Sequence, residues 1–337
     1  MAEPTPFEAM RQMIGGCLGS QLAYVAAKLG IADRLADGPK TAAQLAAAVG
    51  AHPSSLYRVL RALAAFGVFA EDADGRFSLT PLGGPLRRSA PDSLHAYALL
   101  WGDTFWPAWG SLLHCVRTGQ TAFDHLYGMD PFEYLRQHPQ AAEVFDEAMS
   151  NLTRIQATAV LAAYDFSGIG SLVDVGGGKG TLLAAVLRSH PEMRGVLYER
   201  PEVLPAARKA LEAEGVLARC ELKRGDFFAS VPEGGDAYML KDVVHDWDDE
   251  QASLILANCA RAMGAQSRLL VIERGLPPGN VMGAGKIVDV VMLAITGGRE
   301  RTEPEYADLL SHAGLRVARV VPTTREPTVI EAVLVKQ

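Results

Sequence analysis

Between Val243 and Glu250 the sequence reads VVHDWDDE, one histidine and one tryptophan among acids, directly after an apolar run. An unperturbed histidine titrates at about 6.5, so it can accept a proton at neutral pH. The surrounding acids could hold the imidazole, ligate a hard cation with it, or only charge the first turn of a helix. Other stretches carry polar groups at suggestive spacing. VDVGGGKG puts Gly176, Gly177, Gly178 and Gly180 after a strand-like run and ahead of a helix-like one. Glycine lets a backbone turn sharply and approach a ligand with no Cβ in the way. The pattern is G-x-G-x-G. Thr181 stands where a dinucleotide fingerprint has its third glycine, and no G-K-[ST] has the offset of a P-loop, so the loop suits a ligand without a pyrophosphate. Glu199, closing GVLYE, could accept from both ribose hydroxyls. In RGDFF, Asp226 could accept from an adenine amino group with Phe227 packed on the ring; a turn acid before a core aromatic would look the same. Three such features in order, each at a strand end, point to an adenosine-containing ligand.

The elements that must position these groups fall into two halves. From about residue 165, SLVDVG, GVLYE, CELKRGD, DAYML and RLLVIE are short apolar runs separated by helix-like segments, and RVARVVPT with TVIEAVLVK reads as a closing hairpin. This predicts an α/β, Rossmann-like doubly wound domain over 151–337, with a terminal antiparallel hairpin and ligands at the carboxyl ends of its strands. Residues 1–150 read as mostly helical. Thr41 caps a helix that Gly50 ends, Ser54 or Ser55 opens the next, and VFAEDADGRFSLT turns at Asp74-Gly75, which together make a winged helix. Aromatic residues crowd 90–150, among them Tyr97, Trp101, Phe105, Trp106, Trp109 and Phe145. They fit core packing or the wall of an apolar pocket.

Taken together, VDVGGGKG, GDFF, KDVVHDWDDE, VIERGLPPG and GGRERTEPEYADLLSHAGL resemble the motif series of S-adenosylmethionine-dependent O-methyltransferases, in particular the plant caffeate-type and bacterial polyketide- or phenazine-type enzymes. The resemblance covers nearly the whole chain, because that family carries an N-terminal winged-helix dimerisation domain, and it implies a homodimer. It also implies cofactor contacts from Gly176, Gly178, Glu199, Asp226, Phe227 and Lys241, with Trp247 near the adenine. His245 would be the general base, flanked by Glu273 and Glu300 and helped by Asp246. Trp106, Met149, Asp289, Met292 and Leu293 would line the acceptor pocket. The acceptor would be a small aromatic secondary metabolite, methylated on a phenolic or enolic hydroxyl, with S-adenosylhomocysteine as the other product. A phenol titrates at about 10, so transfer to its oxygen needs a base. A lone histidine beside an apolar strand fits that role better than a hard-cation cage, and no metal is expected. Asp248, Asp249 and Glu250 are expected only to cap and charge a helix.

Composition narrows the other function classes. Four scattered cysteines with no C-x-x-C pair argue against a disulfide framework or a thiolate zinc site. The acidic N-terminus does not read as a signal peptide, and no apolar run is long enough to span a bilayer; cytoplasmic residence and no membrane partner are expected. A cofactor-using decarboxylase or hydroxylase of the same family is disfavoured by the retained His245, Glu273 and Glu300, and a nicotinamide oxidoreductase by Thr181. The remaining alternative is a DNA-binding regulator that senses the cofactor. The net charge is −7. The would-be recognition helix offers Arg58 and Arg61, while the wing sets Glu71, Asp72 and Asp74 against Arg76. A nucleic-acid face is usually strongly basic. A mobility-shift titration of duplex DNA is therefore expected to give no shift, and a salt-dependent shift would revive the regulator reading.

Overall fold

The computed structural model describes residues 4–335 and divides them into two compact units. The first comprises residues up to 107 together with 139–151; the second comprises 108–138 and 152 onward. A single cut at 150 was expected. The last of three passages between units falls at Asn151–Leu152, and residues 108–138 group with the second unit.

In chain order the first unit contains α1 (Pro6–Lys28), α2 (Ile31–Leu35), β1 (Lys40–Thr41), α3 (Ala42–Val49), α4 (Pro53–Ala65), β2 (Phe69–Glu71), β3 (Arg76–Leu79) and α5 (His95–Gly102). Thr41 closes a capping box with Gln44, and Gly50 ends α3 in the left-handed region, where glycine carries no Cβ penalty. The expected start of the next helix is corrected. Its cap is His52, whose ring accepts from Ser55 N, and Pro53 opens the helix with its fixed φ and no N–H to leave unpaired. Leu56, Leu60 and Leu63 then repeat on one face of α4 and pack with Leu45, Phe69 and Phe77. The β2–β3 hairpin turns where expected, with Asp72 accepting from Asp74 N and Arg76 N. Helix, turn, helix and hairpin thus share one core.

Helix α6 (Trp106–Gly110) carries the chain across to α7 (Leu112–Thr118), α8 (Ala122–Tyr127) and α9 (Pro131–Gln137); the chain is back in the first unit at the start of α10 (Pro139–Ala163), within which it passes to the second unit again. The second unit continues with β4 (Ser171–Val175), α11 (Thr181–Ser189), β5 (Arg194–Glu199), α12 (Leu204–Ala213), β6 (Cys220–Arg224), β7 (Ala237–Lys241), α13 (Asp249–Ala262), β8 (Arg268–Glu273), α14 (Ala284–Ile295), α15 (Glu303–His312), β9 (Leu315–Val321) and β10 (Thr328–Leu334). Its strands form one seven-stranded sheet in the order β6-β5-β4-β7-β8-β10-β9. The strands from β6 to β8 run parallel, whereas β10 is antiparallel to both β8 and β9. Apolar clusters fill both faces of the sheet, which explains why its strands read as continuous apolar runs.

The topology decides where a ligand can lie. From β4 the chain steps outward to β5 and β6, then returns to place β7 on the other side of β4. Such a reversal opens a crevice at the carboxyl ends of the two central strands. The glycine loop follows β4 at that edge, and Lys241, Asp242 and the turn carrying His245 follow β7.

Candidate active site

One wall of the crevice is the glycine loop. Gly176 and Gly178 adopt φ +69° and +57°, a region that favours glycine. A Cβ on Gly177 would lie 2.2 Å from the carboxylate of Asp174, and one on Gly176 would press on Val243 and Phe227. The backbone is therefore bare where it meets the crevice. Glu199 accepts from Gly178 N at 3.0 Å and from Arg200 N at 2.8 Å, which brings the expected ribose acceptor onto the loop. Asp226 accepts from Phe228 N, so it shapes the turn that carries Phe227. Phe227 and Phe228 meet Trp247 edge-on, with centroids at 6.0 and 4.7 Å. Phe132 of α9 stacks on Trp247 at 5.4 Å, and Arg200 lies over Phe132. Lys241 pairs with Asp242.

The other wall carries the histidine. His245 is buried in a single 3-10 turn, Val244–Asp246. Its Nδ1 lies 2.8 Å from Glu300 Oε1 and 3.5 Å from Glu273 Oε2, and its Nε2 lies 3.7 Å from Asp246 Oδ1. The structure thus brings together His245, Asp246, Glu273 and Glu300 from three separate stretches of sequence. Their contacts differ in kind. Glu300 holds the ring directly. Glu273 Oε1 instead accepts from Val243 N and Val244 N at 3.0 and 2.8 Å, so this acid chiefly fixes the turn.

Electrostatics couple these groups. Burial pushes the imidazole down, but Glu273, Asp246 and Glu300 together outweigh it and raise its pKa to about 10. Burial raises Glu273 to about 7, with His245 opposing, and raises Asp246 to about 6. One oxygen each of Glu273 and Glu300 is buried without a hydrogen-bond partner, as is the Tyr306 hydroxyl. Beneath the glycine loop burial lifts Asp174 to about 7, with Glu199 adding and Lys241 opposing. Asp242 goes the other way. Lys241 and Arg274 overcome its burial and hold it well below the usual carboxylate range.

Asp242, His245 and Glu273 are the one group among the described residues with ligand-type atoms within 4.8 Å of one another. Their contacts match a charge-balanced hydrogen-bond cluster. Asp242 faces two cations, Glu273 accepts from two amides, and the imidazole is held by Glu300.

Asp289 of α14 accepts from Glu300 N at 3.0 Å, so it supports the acid behind His245. Met292 is buried on the same helix and Leu293 half-buried. In the same unit Phe123, Tyr127 and Tyr134 of α8 and α9 form an aromatic cluster. Trp106 and Met149 are half-buried in the helical unit, on α6 and α10.

Several residues of this site were not singled out in the sequence. Asp174 and Asp242 signal themselves weakly, as acids inside or just after apolar strands. Arg301 has no such signal, yet it is only 1% exposed and donates to the carbonyls of Val244 and Trp247. Asp249, expected only to charge a helix, bonds Arg301, while Asp248 is the cap and accepts from Gln251 N. Gly298 is required by proximity, since a Cβ there would lie 2.1 Å from His245 O, 2.3 Å from Asp246 C and 2.5 Å from Trp247 N. All three are backbone atoms and have no rotamer to yield. Gly298→Ala should therefore destabilise the chain by about 1–3 kcal/mol, read as a lower melting temperature. A wild-type melting curve would show the turn to be free to move.

Comparison with known proteins agrees with this geometry. A family model described as an O-methyltransferase domain matches residues 109–316, and one described as an O-methyltransferase dimerisation domain matches residues 11–87. The phenazine O-methyltransferase PhzM of Lysobacter antibioticus is 46% identical over 321 residues, 95% of this chain and 94% of that protein. The solved structure of LaPhzM superposes with a TM-score of 0.96 at 45% identity, covering 98% of this chain and 100% of that one. NcsB1, an O-methyltransferase from neocarzinostatin biosynthesis solved with S-adenosyl-L-homocysteine and 1,4-dihydroxy-2-naphthoic acid, gives a TM-score of 0.82 at 35% identity over 94% of this chain and 96% of that one. The family also includes a phenazine-1-carboxylate N-methyltransferase of Pseudomonas aeruginosa, 34% identical over 95% of each chain. With a bare glycine loop after β4 and with these matches along its length, the chain belongs to the S-adenosylmethionine-dependent O-methyltransferases, whose relatives here act on aromatic secondary metabolites.

Proposed function

We propose that this chain transfers a methyl group to a phenolic or enolic hydroxyl of a flat aromatic metabolite, with His245 taking the hydroxyl proton. The observation that carries the reading is the 2.8 Å contact between His245 Nδ1 and Glu300 Oε1. A donor N–H at Nδ1 fixes the neutral tautomer and leaves Nε2 with its lone pair. When bound, S-adenosylmethionine supplies a methyl group already activated on a sulfonium. The residues of the chain do the rest. Glu199 and the bare loop at Gly176 and Gly178 orient the nucleoside, with Asp226, Phe227, Lys241 and Trp247 around its base. Nε2 of His245 takes the proton as the oxygen–carbon bond forms and the sulfur–carbon bond breaks with its electron pair on sulfur. Glu300, with Glu273 and Asp246, stabilises the imidazolium formed. No metal has a part in this reading.

Met292 and Leu293 of α14 and the aromatic residues of α8 and α9 suit a flat apolar acceptor, and NcsB1 was solved with one. By the family resemblance, Trp106 and Met149 of the helical unit are proposed as further acceptor-binding residues. The matching dimerisation domain, and the exposed Phe7, Met10, Met13, Ile14 and Leu18 along α1, support a homodimer formed through the N-terminal helices. The four cysteines are free thiols, which suits a reducing, cytoplasmic compartment. No helix among the described residues is long and apolar enough to cross a membrane.

The charge state of His245 needs one more step. In the free chain its raised pKa keeps the proton on the ring at neutral pH. His245 loses that proton more readily once a cation lies in the crevice, because like charge disfavours the protonated form.

The reading is tested by incubating the chain with S-adenosylmethionine and a panel of hydroxylated naphthoates and phenazines, alongside their amino analogues. Methylation on oxygen is expected, with S-adenosylhomocysteine formed one for one. Transfer to the amino analogues alone would make this an N-methyltransferase. His245→Ala should keep S-adenosylhomocysteine binding and lose the rate by ~10²–10⁴-fold; full activity in that variant would remove the base.

The pH profile gives an independent check. A base works unprotonated, so the rate should rise with pH, and the three acids place that limb above the ordinary histidine value of about 6.5. Glu300→Gln removes one raising charge and should move the limb to lower pH. An unmoved limb would show that another group titrates.

A further inference from the structure

The turn that carries His245 cannot hold itself. Its own hydrogen bonds, Asp246 N to Val243 O and Trp247 N to Val244 O, are 3.2 and 3.4 Å long, at or beyond the ordinary limit. It belongs to no strand ladder, and it follows Asp242, a non-glycine residue at φ +50°. Its geometry has to be imposed from outside. Glu273 does this for the amides of Val243 and Val244.

The carbonyls are held by one guanidinium. Arg301 Nη1 donates to Val244 O at 3.2 Å and Nη2 to Trp247 O at 2.9 Å, so the fork spans the turn with His245 between its two prongs. A second prong contact from Nη1 reaches Arg299 O, which ties the turn to the segment bearing Glu300. The guanidinium is oriented in turn by Asp249, whose Oδ1 accepts from Nε at 3.0 Å and from Nη2 at 2.8 Å. Asp249 lies at the start of α13 with a side chain 59% exposed, whereas Arg301 is wholly buried. A planar, permanently charged fork suits such a site; an ammonium has three donors but no rigid fork to hold both carbonyls and Asp249 at once.

We propose that Asp249 and Arg301 are paired positioning residues for proton removal: Asp249 aims the guanidinium, and Arg301 fixes the turn that presents His245 to the acceptor while tying it to Glu300. The inference rests on His245 being the proton acceptor. Other charged and titratable groups also face this turn, namely Asp242 and Asp246 in the chain beside it, Glu273 and Arg274 at the end of β8, Glu300 on the segment after α14, and Tyr306 on α15. The test therefore has to isolate the part that acts through His245.

Asp249→Ala and Arg301→Lys are made in the wild-type chain and in His245→Ala. Turnover is measured with the hydroxylated acceptor that the wild-type chain methylates. S-adenosylhomocysteine binding is followed by calorimetry and folding by thermal melting. Displacement of a reacting group by about 1 Å can cost ~10²-fold. Arg301→Lys is expected to lower kcat on that scale and Asp249→Ala by a smaller factor, with acceptor KM and S-adenosylhomocysteine affinity unchanged. In the His245→Ala background the same substitutions should leave the residual rate unaltered, because there is no imidazole left to aim. Equal losses in both backgrounds would reduce the pair to a structural support and overturn the proposal, as would a wild-type kcat in folded Asp249→Ala. If Arg301→Lys does not fold, the exposed Asp249 position decides the question alone. Full activity in His245→Ala itself would overturn the base reading and this inference with it, whereas a dead His245→Ala beside an unaffected Asp249→Ala overturns this inference alone.

Discussion

A buried imidazole held at one nitrogen by a buried carboxylate is the interaction around which this molecule is organised. The contact between His245 and Glu300 joins a turn after β7 to a segment after α14. Asp289 supports Glu300, Gly298 allows the two backbones to meet, and Glu273 and Arg301 fix opposite polar edges of the turn. Each of these residues is explained by the need to keep one ring in one orientation without a regular ladder to do it. A backbone with no ladder still has donors and acceptors to satisfy, and here charged side chains satisfy them.

The electrostatic consequence is a site that is costly to fold. Burying a carboxylate is unfavourable unless it is paired. Asp242 is paired twice and stays ionised, while Glu273, Asp246 and Asp174 are pushed toward keeping a proton. The same burial that raises the acids makes them effective partners for a positive ring, since charges interact more strongly away from water. Asp242, firmly ionised, and Asp246, raised to about 6, thus lie on the same turn beside His245. That separation of proton affinities by environment lets one small region hold a buried imidazole among several acids.

Much of this was legible in the sequence. The glycine loop announced itself because the backbone conformations it needs are open to few other residues. The parallel strands did so because burial on both faces leaves uninterrupted apolar runs, and the capping residues of α3 and the β2–β3 turn because their chemistry is local. His245 and its two distant acids came from the resemblance of the whole motif series, since no spacing rule connects residues 245, 273 and 300. What escaped was the work of long-range polar contacts. Arg301 looks like any arginine ahead of a helix, and only the folded chain brings Val244 and Trp247 to it. Asp249 was assigned the usual duty of an acid at a helix start, because its neighbour Asp248, the actual cap, has the same local appearance. The affiliation of residues 108–138 was hidden for a related reason: their helices have the same periodicity whichever unit they pack against.

The strand order carries one more consequence. β10 lies between β8 and β9, and its first residue, Thr328, pairs with Glu273 at the end of β8. A ribosome delivers β10 after every strand it contacts. Until it emerges, β8 has one free edge, and the acid that anchors the histidine turn lies at the end of that edge. A nascent chain can thus join Gly178 to Glu199, which follow β4 and end β5, before the edge of β8 that ends in Glu273 is covered.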